Sequence, residues 1–134
     1  YATDPDCKPD SADYWVDKIT NEGWKMINVN LHGGCLFAMA PPNQVADSVA
    51  SVYGIPMTAE RVLDATYRAH LMGFALELRQ GATEEDYDLP SEIFAGGKKG
   101  DLPGVHFLTR ELFGEVRERV LSKFTADAVR FGYS

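Results

Sequence analysis

Apolar residues recur at helical spacing over most of this chain, and the places where the period fails are short and rich in Gly, Pro, Asn and Asp. The clearest stretch is 59–80. There Val62, Ala65, Ala69, Met72 and Leu76 form one stripe and Leu63, Tyr67, Leu71, Phe74 and Leu78 a second, with a narrow polar edge through Arg61, Asp64 and Arg68. A helix apolar on two sides belongs between neighbours, so this one is expected to be buried and central. Thr58 is its expected N-cap, Glu60 sits in the first turn where negative charge is favoured, and Gly81 ends it. A second long helix is expected from about Thr109 to Phe131, with Leu112, Val116, Val120 and Phe124 inward and Arg117, Glu118, Arg119 and Lys123 largely on the other face.

The first half is more broken. Residues 1–10, with Asp4-Pro5 and Lys8-Pro9, read as an extended lead-in, and Ser11 or Asp10 caps one to two turns of helix carrying Tyr14, Trp15, Val16 and Ile19. That helix should end near Asn21-Glu22-Gly23. Trp24 to Val29 fits helix or strand. Leu36 to Ala40 is fully apolar, ends at Pro41-Pro42 and is expected to be buried. Pro42 suits the first turn of a helix over 42–53 with Val45, Val49 and Val52 as its buried stripe and Gly54 as its stop. Residues 82–104 form a long loop pair around a short Ser91–Phe94 turn, a length usually reserved for function or a partner surface. The fold class expected is all-α: one helical domain, 1–134, of about four to five helices with long loops.

Composition narrows the function. With 134 residues, 45% apolar and 25% charged, the chain can bury a core. A net charge of −7 argues against a nucleic-acid partner, because phosphate binding needs clustered Lys and Arg and only Lys98-Lys99 are adjacent. No apolar run approaches the length of a membrane span, and Tyr1 does not open a signal peptide, so a cytoplasmic location is expected. The lack of an initiator Met leads us to expect a processed chain or a piece of something longer.

Candidate chemistry concentrates at Asn30-Leu31-His32-Gly33-Gly34-Cys35, where two glycines permit close backbone approach and His32 and Cys35 are potential donors. A cysteine nucleophile there lacks an orienting carboxylate. Zinc is poorly served by the scattered Cys7, His32, Cys35, His70 and His106, and His70 and His106 read as satisfied structural histidines. Glu84-Glu85-Asp86 with Asp88 lacks the ligand spacing of a calcium loop, and Gly96 to Gly100 lacks the strand and the Gly-Lys-Ser/Thr of a phosphate loop.

The order of elements around Asn30–Cys35 resembles the C-terminal part of the tungsten-containing aldehyde ferredoxin oxidoreductase family, which carries Asp-x-x-Gly-Leu-Cys before its final helices. Aligned on Cys35, the likeness continues through the apolar stretch, the short helix and the helix start Gly54-Ile55-Pro56-Met57-Thr58-Ala59-Glu60. Phe74 to Leu78, Arg79-Gln80-Gly81, Glu85-Asp86 and Leu89-Pro90 then follow in the family's order. The resemblance covers about Trp15 to Pro103.

It implies that Cys35 is the last of four thiolate ligands to a [4Fe–4S] cluster, with Asn30 and the Gly34 backbone facing the pterin of a tungsten or molybdenum bis-pterin (tungstopterin) cofactor. The implied reaction is oxidation of an aldehyde, with electrons leaving through the cluster to ferredoxin or another electron-transfer subunit. Asn30 stands where the family has aspartate. That departure points to a divergent branch such as the tungsten subunit of benzoyl-coenzyme A reductase, which reduces an aromatic acyl-CoA. The family's other three cluster cysteines are absent, so the chain is expected to act only with the remainder of the same enzyme or a complementary subunit, and any catalytic acid or base lies outside it. Two other readings compete: a non-enzymatic helical interaction domain with Cys35 inert, and a small exported domain with a Cys7–Cys35 disulfide.

Overall fold

A computed structural model describes residues 6–34, 40–94 and 108–133. It is all-α, with no strand among the described residues. The described residues form five α-helical segments: α1 (Ala12–Asn21), α2 (Asn28–Leu31), α3 (Pro42–Tyr53), α4 (Ala59–Arg79) and α5 (Arg110–Arg130). Among the described residues, 3₁₀ turns at Gly23–Ile27, Glu84–Tyr87 and Ser91–Ile93 lie between them. The stretch Trp24 to Val29, open between helix and strand in the sequence, winds as helix. Trp24 accounts for part of this, since its Nε1 donates to the Thr20 carbonyl at 2.9 Å and holds the turn against the end of α1.

The helix boundaries follow local chemistry. Ser11, Thr58 and Thr109 each accept a backbone N–H at their side-chain oxygen, satisfying one of the donors that a helix start leaves over. Proline at the first position of α3 has no such donor to satisfy. At the far ends of α4 and α5 the chain turns through Gly81 at φ 94° and Gly132 at φ 78°, conformations that a Cβ resists. The next residues then reach back: Ala82 N–H donates to the Glu77 carbonyl at 3.0 Å and Tyr133 N–H to that of Ala128 at 2.9 Å. α1 runs ten residues, longer than the one to two turns expected.

Packing is organised on α5, which lies between α1 and α4, while α4 also meets α3 and the 23–31 segment. The core joins Ala12 of α1, Leu71 and Phe74 of α4, and Val116, Val120 and Phe124 of α5. Phe74 and Phe124 meet edge to face with ring centres 5.9 Å apart, a favoured aromatic geometry. One polar knot fastens α4 to α5. The Tyr67 hydroxyl donates to Asp127, which also holds Lys123 and lies 3.6 Å from Arg130.

Two expected faces differ from those observed. α4 is buried along Leu71 and Phe74 of the second stripe, though Leu78 at its end is 39% exposed, and in the first stripe only Val62 is buried: Met72 is 47% and Leu76 49% exposed. The helix is therefore covered on one side over its C-terminal half, where α5 packs, and not on two. On α3 the buried residue is Ala46, and Val52, expected inside, is 74% exposed. α3 packs on α4, and a small side chain at the contact lets two helices approach closely. The stripe of α5 is as expected at Val116, Val120 and Phe124 and extends to Asp127 and Ala128. Within the apolar run 36–40, only Ala40 falls among the described residues, and it is half-buried.

Candidate functional site

The Asn30–Gly34 break is held in place by a residue the sequence did not single out. Asn28, 2% exposed, sets its side-chain Oδ1 2.8 Å from the Thr66 hydroxyl, whose single proton it shares with the Val62 carbonyl at 2.9 Å. That buried contact pins α2 to α4, and burying such groups is tolerable only because they are paired. Beyond it the chain closes tightly: His32 N–H donates to the Asn28 carbonyl at 3.3 Å and Gly33 N–H to that of Asn30 at 3.1 Å. Gly33 sits at φ 79°, so it, and not Gly34, is the glycine this turn demands. Asn30, Leu31, His32, Gly33 and Gly34 are all exposed on this one turn. Cys35, the expected cluster ligand, lies outside the described residues.

The other potential donors do not converge. Cys7 is a half-buried free thiol, His106 lies outside the described residues, and no group of three His, Cys, Asp or Glu among the described residues is arranged to hold a metal. The acidic loop is a structural knot. Thr83 and Asp86 form a reciprocal cap on the 84–87 turn. Arg117 of α5 pairs with Glu84 at 3.0 Å and Asp88 at 3.2 Å, and Arg110 reaches Asp88 at 3.2 Å. Cations of the chain itself thus occupy carboxylates that a calcium ion would need.

His70 departs from the satisfied histidine expected. Its Nε2 is buried with no hydrogen-bond partner, and its ring meets Phe124 edge to face at 4.8 Å. Burial holds its pKa below the ordinary histidine value, against the opposing pull of the Glu77 carboxylate. Glu77, two turns further along α4, accepts from the Tyr87 hydroxyl at 2.8 Å. Burial first, then that bond, pushes the Tyr87 phenol up to about 12. These groups line a cavity of about 340 Å³ with Gly73, Phe74 and Phe124. A second cavity of about 350 Å³, lined by Trp15, Ile19, Leu112 and Phe113 among others, shares Tyr87, Val120 and Leu121 with it. Nothing in the spacing of single residues marks this pair of cavities, because α1, the 23–27 turn, α4, the 84–87 turn and α5 all contribute to them.

Comparison with protein-family models, with curated proteins and with solved structures finds no match to this chain.

Proposed function

We propose that this chain is the C-terminal helical part of a tungsten or molybdenum bis-pterin, iron–sulfur oxidoreductase. It acts there on an aldehyde or, in the divergent branch, an aromatic acyl-CoA. The observation that carries the reading is the agreement between the ordered family-like signposts and the element boundaries. Met57-Thr58-Ala59-Glu60 falls on the capped start of α4, Arg79-Gln80-Gly81 on its left-handed end, and Glu85-Asp86 on the capped 3₁₀ turn before Leu89-Pro90. The exposed Asn30–Gly34 turn adds support, since backbone N–H groups and a neutral side-chain amide suit a pterin edge.

The donor count sets the chain's share. A [4Fe–4S] cluster takes four thiolates and the chain has two cysteines, so it supplies Cys35 and the remainder of the enzyme supplies the other ligands. When bound, the metal–pterin centre supplies the two-electron chemistry and the cluster the path for single electrons. This chain's own task is to supply the Cys35 thiolate and to present a neutral donor and acceptor at Asn30 and the Gly34 backbone, the latter two on a turn anchored by Asn28 and Thr66.

Anaerobic purification of the native assembly tests this. It should be brown, contain tungsten or molybdenum, and give a reduced-cluster EPR signal that Cys35→Ala abolishes. A colourless, metal-free assembly would overturn it. That outcome would favour a helical interaction domain, a reading that Val52 and Tyr53, 74% and 72% exposed at the end of α3, support.

A further inference from the structure

The paired cavities beside α4 and α5 take no part in holding a pterin or a cluster at the Asn30–Gly34 turn, and a ligand in them is independent of that role. Their polar groups are few: His70 and Glu77 in one lobe, Arg117 in the other and Tyr87 between them. His70 Nε2 is buried without a partner, and of the Glu77 carboxylate one oxygen accepts from Tyr87 while the other has no partner among the described residues. Arg117, in the other lobe, pairs through its two Nη atoms with Glu84 and Asp88, and its Nε is buried without a partner. The lobe around His70 therefore carries one unneutralised negative charge, two sites for a hydrogen-bond donor, and the rings of Phe74 and Phe124 as walls. The adjoining lobe offers Trp15, Ile19, Leu112 and Val116.

Gly73 supplies an independent observation. It stands in the interior of α4, where glycine is the least favourable residue after proline, and a Cβ built on it meets no atom within 4 Å. No close contact requires a glycine there. What its missing side chain does is leave the lobe open.

We propose that this pair of cavities binds a small organic ammonium bearing an aromatic or aliphatic tail, its N–H groups donating to Glu77 and His70 and its tail lying in the lobe lined by Trp15, Ile19 and Leu112. A carboxylate or phosphate ligand would face Glu77 and be repelled. A volume of about 340 Å³ for the polar lobe alone is within the range of small-molecule sites, and a cation between a carboxylate and phenyl rings gains from both.

The test is ¹⁹F NMR titration of the protein in its native assembly with 4-fluorophenethylammonium and, as the charge-reversed probe, 4-fluorophenylacetate. The ammonium should bind saturably and the acetate at least about tenfold more weakly, the scale of one charge-assisted hydrogen bond. Glu77→Gln, which keeps the acceptor for Tyr87, should weaken the ammonium by at least about tenfold. Gly73→Leu, which fills the lobe with a better helix former, should abolish it without lowering the melting temperature. Equal affinity for the two probes, non-saturating uptake of the ammonium, or unchanged binding in Gly73→Leu would each overturn the proposal.

Discussion

At the scale of single residues, burial disfavours charge on both His70 and Asp127, and only Asp127 has partners that outweigh it. His70 has its pKa lowered by burial, so the unfolded chain takes up a proton more readily than the folded one. Its contribution is intact above the ordinary value of 6.5 and turns against the fold as pH drops below it. Between about pH 7.5 and about pH 5.5 the melting temperature should fall more in the native chain than in His70→Leu, by differential scanning calorimetry. Asp127 is 6% exposed. Burial alone would raise its pKa, but bonds from Lys123 and Tyr67 and the charges of Lys123 and Arg130 outweigh it and leave it lowered. Stability from this group is present above the unfolded carboxylate value of 3.8 and is lost as pH falls through the lower folded one. Asp127→Ala strands the Tyr67 hydroxyl and should cost about 2 kcal/mol in urea denaturation, whereas Lys123→Ala, at a half-exposed cation, should stay within about 0.5 kcal/mol. Neither pairing was legible in the sequence. Tyr67 and Asp127 are 60 positions apart, Asn28 and Thr66 38, and no local pattern brings them together.

At the scale of elements, starts and stops were legible because they are local chemistry. Thr58, Thr109, Pro42, Gly54 and Gly81 act within four residues of themselves, and each marks the boundary its side chain, or lack of one, implies. Two glycines should therefore respond with opposite sign. Gly54 ends α3 at φ 66°, so Gly54→Ala should destabilise by about 1 kcal/mol through backbone strain. Gly73, inside α4 with open space above it, should gain up to about 1 kcal/mol as Gly73→Ala. Chemical denaturation of both variants checks the contrast, and equal signs would contradict the φ assignment. Faces were less legible than ends. Periodicity reports that a side of a helix is apolar, not that a neighbour covers it, which is why Val52, Met72 and Leu76 read as buried and lie exposed. The candidate site shows the same division. The Asn30–Gly34 turn was recognisable from composition, while the cavities at His70 and Trp15 needed α1, α4, α5 and the 84–87 turn to be placed in space.

At the scale of the whole molecule, the exposed apolar side chains connect the fold to the proposed function. Met72 and Leu76 lie one turn apart on the outer face of α4, beside Arg68 and Arg79, and covering their remaining exposed half contributes about 1 kcal/mol each when a surface closes over them. Among the described residues nothing covers them. If the chain is one part of a larger oxidoreductase, its neighbour has reason to sit there, and a charge at each position would obstruct that neighbour without disturbing the chain's own core. Met72→Glu combined with Leu76→Lys also places an acid four residues ahead of a base, a favourable helical order, so the helix itself should lose nothing. The double variant is expected to keep the unfolding free energy of the chain within about 0.5 kcal/mol while reducing its recovery with the remainder of the enzyme in anaerobic affinity purification. Undiminished recovery would remove this face of α4 from the contact and leave the end of α3, at Val52 and Tyr53, as the next surface to change.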